Sequence, residues 1–98
     1  MMKGALSWEH QPPRLILRGE LDRETLLSLW NQRRTLMSQI NVIDVAGLER
    51  VDSAGLAMLV HLREQVEQDG GTLALTGITD RLSTLIALYN LQDIIPVN

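Results

Sequence analysis

Cysteine and phenylalanine are absent from these 98 residues, proline occurs three times, and Trp8, Trp30 and Tyr89 are the whole aromatic complement. Without cysteine there is no disulfide, no thiol nucleophile and no thiolate metal ligand, and the composition suits a reducing compartment. With so few aromatics the core must be aliphatic, built from Leu, Ile, Val and Ala in the manner of helices packed on a sheet. No apolar run approaches the roughly 20 residues of a membrane span. Met1 to His10 carries a lysine but no apolar stretch of signal-peptide length. The nine basic residues are scattered among twelve acids, for a net charge of -3, so the concentrated basic face that nucleic acid requires is missing. There is no G-x-x-x-x-G-K-[ST] loop to cradle a nucleotide triphosphate, and the chain is not expected to hydrolyse nucleotides itself. A chain of this length fits one domain, residues 1–98, burying roughly 60 to 70% of the surface its unfolded form exposes. It reads as cytoplasmic, without membrane insertion.

What is present is an alternation of strand-like and helix-like segments. Leu6 to His10 forms a weak strand candidate, which Pro12-Pro13 interrupts before Leu15-Ile16-Leu17-Arg18; the prolines remove ladder donors and favour an edge hairpin. Gly19-Glu20-Leu21-Asp22 ends the second strand. Asp22 then caps a helix whose Leu26, Leu29, Trp30, Arg33, Met37 and Ile40 keep three-and-four spacing, with Arg33 lying along the edge of the stripe. Asn41 to Val45 is short and β-branched, as in a buried parallel strand, and a loop is expected from Ala46 to Ser53. A helix over Ala54 to Asp69 stops at Gly70-Gly71. Thr72 to Leu75 makes a further strand, Gly77 a turn, Thr79 or Asp80 caps a helix carrying Leu82, Leu85, Ile86 and Tyr89, and Ile94 to Val97 offers a strand stub. The pattern predicts an α/β fold, a mostly parallel sheet with an antiparallel edge strand, packed against helices through right-handed crossovers. Partner surfaces in such folds gather at the carboxyl ends of strands. Here those ends are Glu20 to Asp22, Ala46 to Ser53 and Thr76 to Thr79, expected to converge on one rim.

The most informative junction is Val51-Asp52-Ser53-Ala54-Gly55-Leu56, which delivers an acid and a hydroxyl to a helix start. Ser53 sits where an N-cap is wanted, a role worth roughly 1 kcal/mol, and Gly55, lacking a Cβ, is read as letting a partner approach closely. Catalytic machinery is thin around it. Ser53 has no evident base, since His10 lies near the first strand and His61 two turns into the helix. Asp22, Asp44 and Asp52 have the chemistry to hold a cation, although acids at strand ends commonly cap turns. Trp8 and Trp30 are read as core or edge packing, with an interface as the other role. The rim is therefore expected to be a contact surface contributed by Asp22, Glu49, Arg50, Asp52, Ser53 and Gly55, with no catalytic residue, metal or cofactor.

Asp44-Val45, then Val51-Asp52-Ser53-Ala54-Gly55-Leu56, after Gly19-Glu20-Leu21-Asp22 and before Leu75-Thr76-Gly77, resembles the STAS domain of sulfate transporters and anti-sigma factor antagonists over nearly the whole chain. In the phospho-regulated members the hydroxyl residue after the Asp is the phosphoacceptor, so the resemblance makes Ser53 a possible phosphoacceptor. Ala54 departs from the second small hydroxyl common in the antagonists, and Asn98 ends the chain before the long final helix of many members. A narrower resemblance rests on Leu6-Ser7-Trp8, Leu26-Leu27 with Leu29-Trp30, Gly55-Leu56-Ala57 with His61-Leu62, and Leu88-Tyr89-Asn90-Leu91. It is to the small cytoplasmic STAS subunits of Mla phospholipid-transport ABC complexes. It implies a non-catalytic subunit that binds the ABC transporter ATPase, peripheral to the inner membrane through its complex, and supports outer-membrane lipid asymmetry. The functional hydroxyl then falls on Ser53, with contact roles for Asp52 and Gly55. The alternative is an anti-sigma factor antagonist switched by phosphorylation of Ser53.

Overall fold

The computed structural model describes residues 5–95. Strand β1 (Leu6–Gln11) turns through Pro12-Pro13 into β2 (Arg14–Leu21), and the two pair antiparallel. Strands β3 (Val42–Val51) and β4 (Ala74–Thr76) add in parallel, giving the order β1-β2-β3-β4. Parallel neighbours need crossovers. Helices α1 (Leu26–Asn31) and α2 (Arg33–Leu36) supply the first, α3 (Ser53–Gln68) the second, and α4 (Asp80–Leu88) follows β4. Because α1 packs on α3 and α3 on α4, all three share one face of the sheet.

The strand period of two sorts the side chains. Leu15, Leu17 and Leu21 of β2 and Ile43, Val45 and Leu48 of β3 are buried with Leu29, Leu56, Leu59, Leu62, Leu82 and Ile86 of the helices. The other sheet face carries Arg14, Arg18 and Asp44 around the half-buried Ile16 and Val42, which is why it tolerates water without a second helical layer. The core is aliphatic, as the composition requires, and Trp8 and Trp30 pack at its margin half-buried. Among the described residues no helix is long and apolar enough to cross a membrane.

Four expectations change. The helix read from Leu26 to Ile40 breaks at Gln32 into α1 and α2. The loop expected from Ala46 to Ser53 is mostly strand: β2 keeps pairing with β3 as far as Leu21 opposite Val51, with irregular register after Ile16 and after Gly19. Strand β4 starts at Ala74 and ends at Thr76. Ile94 and Ile95 lie in turns, while Pro96 and Val97 fall outside the described residues. The third of these shifts alters the rim. Thr76 pairs opposite Asp44, whereas Leu21 pairs opposite Val51, so β4 stops well below the tip of β3. The loop at Gly77 lies beside Asp44 and Ala46, and the chain comes level with Leu48–Val51 only at Arg81 and Leu82. The rim is a step rather than three loops at one height.

Candidate functional site at the start of α3

Because β3 runs to Val51, the residue left half in the helix is Asp52, which takes the N-cap in place of the expected Ser53. Its backbone is extended (φ -95°, ψ -177°), and one carboxylate oxygen accepts from Gly55 N at 2.8 Å. The other accepts from Arg23 N at 3.2 Å, in the turn after β2. One side chain thus fastens two strand-to-helix junctions together, those after β2 and after β3. Beside it Asp22 is only 7% exposed. Its Oδ1 accepts from Glu24 N and Thr25 N, while the Thr25 hydroxyl donates to the Glu20 carbonyl at 2.8 Å. Asp22 therefore shapes the turn from within. Asp44, the third acid at a strand end, accepts from Ala46 N at 2.9 Å. Among the described residues no three His, Asp or Glu side chains gather as cation ligands.

Capping by Asp52 makes a measurable claim. Asp52→Ala removes the cap and the tie to Arg23, and should lower stability by about 2 kcal/mol in urea denaturation, while Asp52→Asn keeps most of it. A loss below about 0.5 kcal/mol would mean that Ser53 takes over the cap.

Ser53 is exposed, is the first residue of α3, and its hydroxyl bonds to no described residue. Neither histidine is placed to activate it. His10 is on β1, at the far edge of the sheet, and His61 lies eight positions on, with its ring against Trp30 at 6.2 Å between centroids. Gly55 corrects an expectation. A Cβ there would stand 2.2 Å from the Leu21 carbonyl oxygen and 2.9 Å from its carbon. The space read as open to a partner is filled by β2 of the same chain, and Gly55 is buried. Glu49 and Arg50 are exposed at the end of β3.

The exposed surface continues down α3 from Ser53 through Ala57, His61 and Glu64, residues one helical turn apart. Packed on α3, α1 contributes Trp30 and, three residues before it, Leu27, which is 59% exposed. The Arg33 guanidinium lies 3.9 Å over the Trp30 ring, so it edges the stripe as its position in the sequence suggests. Leu27, Ala57 and His61 were not picked out from the sequence as contact residues. Helical phase puts Ala57 and His61 on the face of Ser53, but only the packing of α1 on α3 brings Trp30 beside His61. Chemically the site is a hydroxyl bonded to no described residue above a small apolar and aromatic strip, on a scaffold in which no buried side-chain polar atom among the described residues lacks a partner. Such a surface suits protein contact.

A family model described as "Mlab, STAS domain" matches residues 5–96. The intermembrane phospholipid transport system binding protein MlaB of Escherichia coli (strain K12) is 41% identical over 96 residues, covering 97% of this chain and 99% of the relative. The protein of the same name from Haemophilus influenzae is 34% identical, covering 90% and 93%. Among solved structures, a Thermotoga maritima protein assigned as an anti-sigma factor antagonist superposes with a TM-score of 0.69 at 22% identity, over 92% of this chain and 82% of its own. The Bacillus cell fate determinant SpoIIAA in its phosphorylated form gives 0.65 at 17% identity, over 93% and 88%. The structural likenesses show the fold, and the sequence likeness places the chain within it. On the match across residues 5–96 and the near end-to-end identity to these relatives, the chain belongs to the MlaB family of STAS domains.

Proposed function

We propose that this chain is the non-catalytic STAS subunit of an Mla-type phospholipid transport system. It docks on the system's ATPase through the Ser53 end of α3, supports assembly and activity of the complex, and so serves outer-membrane lipid asymmetry. The observation that carries this reading is the 41% identity, over 99% of the relative, to a protein named as a binding protein of such a system. The geometry is in keeping with it, since the exposed Ser53 hydroxyl bonds to no described residue and neither histidine lies beside it.

A specific complex buries about 800 Å² on each partner. That is about one eighth of the 6155 Å² surface of this molecule, far more than the hydroxyl and its neighbours supply. In this reading the footprint extends from Ser53 along the strip of Trp30, Ala57 and His61, with Leu27 exposed nearby on α1. Asp52, Asp22 and Gly55 act in this reading by holding Ser53 in place, and Glu49 and Arg50 flank it.

The test is affinity capture of the tagged chain from native membranes, with mass spectrometry of what is retained. An ABC ATPase is expected. Ser53→Ala should then weaken binding of the purified ATPase about tenfold, by removing a hydrogen-bonding group from a buried interface, and move the melting midpoint by less than about 2 °C, since the cap is Asp52. Retention of a soluble kinase without an ATPase would reverse the proposal in favour of the anti-sigma antagonist.

A further inference from the structure

Arg50 at the end of β3 and Arg81 in the first turn of α4 line one small cleft of about 100 Å³, together with Leu48, Glu49, Val51 and Leu82. Both arginines are exposed. Among the described residues no carboxylate lies within 4.0 Å of either guanidinium, whereas Arg18 and Arg63 are paired with Glu9 and Glu67. The nearest acids in sequence or register are Glu49 in the cleft itself, Glu20 opposite Arg50, Asp80 beside Arg81, and Asp52, whose carboxylate is bonded to Gly55 N and Arg23 N. None of them closes an ion pair.

The position of Arg81 is unfavourable for the fold. Thr79 caps α4 and Asp80 is its first residue, so Arg81 is the second, where the positive end of the helix favours an acid and repels a cation. Folding gains nothing from a second arginine lining the same cleft as Arg50. The two arise from elements brought together because β4 stops short and the chain climbs beside the edge of β3 that β4 leaves uncovered.

We infer that the Arg50–Arg81 notch is an acid-binding subsite of the docking surface, which takes a carboxylate side chain of the ATPase partner. This rests on the function proposed above. Two planar forks lining one cleft match a carboxylate with charge-assisted bonds, and Arg50 precedes Asp52 by two residues and Ser53 by three. A neighbouring cation pair at the edge of an interface steers the approach of an acidic partner and fixes its register more than it adds to final affinity.

The experiment measures binding of the full-length chain to the purified ATPase subunit of its own system at low and high salt. Arg81→Glu is expected to weaken binding about tenfold at low salt, and the Arg50→Glu, Arg81→Glu double variant about 100-fold, with both effects shrinking as salt rises. The melting midpoint of Arg81→Glu should stay level or rise, because an acid replaces a cation at the start of a helix. Arg34→Glu, the same charge change at an exposed position beside the other end of α3, serves as the control and should bind normally. Equal weakening by Arg34→Glu would reduce the effect to net charge and overturn the subsite, as would undiminished binding by Arg81→Glu. Should Arg81→Glu melt lower, Arg50→Glu poses the same question from the strand side, and normal binding by it overturns the subsite. If the unaltered chain fails to bind the ATPase, the proposed function falls and the subsite with it.

Discussion

Gly55→Ala should destabilise the protein by about 3 kcal/mol, against the usual direction of such a change. Replacing glycine by alanine inside a helix ordinarily gains about 1 kcal/mol through propensity alone. Here the added methyl would sit 2.2 Å from the Leu21 carbonyl oxygen, a backbone atom of β2 held by the pairing of Leu21 with Val51. The helix or the strand must move, and a shift at this point also loosens the bond from Gly55 N to Asp52. Overpacking of a rigid contact costs about 1–3 kcal/mol and more where backbone is displaced. Urea denaturation of the variant measures it directly. A gain in stability would show that α3 can stand off from β2, and that the close approach is dispensable.

Ser53→Asp should leave the fold standing and abolish docking. At the first position of α3 the new carboxylate meets the positive helix end, worth about 0.3–1 kcal/mol in its favour, and the neighbouring Asp52, which opposes it. The melting midpoint should move by less than about 3 °C. Burying an unpaired carboxylate in the proposed interface costs about 2–5 kcal/mol, so affinity for the ATPase should fall about 100-fold or more. A phosphate on the same hydroxyl carries about -1.5 to -2 charges and would act in the same direction. Binding of Ser53→Asp at full strength, with the fold intact, would place Ser53 outside the interface.

The alternation of strands and helices, the antiparallel edge and the aliphatic core were legible in the residues, because each rests on a local period. Three features were not. Strand β3 extends through Ala46-Gly47, two small residues without alternation, and does so because β2 lies beside it rather than from any preference of its own. That extension decides the cap, since both Asp52 and Ser53 are good capping residues and only the end of the strand selects between them. The break at Gln32 falls in a stretch with neither proline nor glycine, so the first crossover carries no local mark of it. Gly55 is different, for the mark was present. It shares helical phase with Met58, Leu59 and Leu62, all buried, and that phase already turns it toward the sheet and away from a partner. The pairing of Trp30 with His61, by contrast, belongs to tertiary packing and has no sequence counterpart.

The Asp52 carboxylate, bonded at once to Gly55 and Arg23, has a consequence for affinity. Freezing a free backbone residue costs about 1–2 kcal/mol, and an arriving protein would meet that penalty for every residue it had to immobilise. The turn at 22–25 and the opening of α3 are already locked during folding, so the proposed docking surface is preorganised and little entropy would be lost on association. Release leaves the same shape behind, ready for the next engagement.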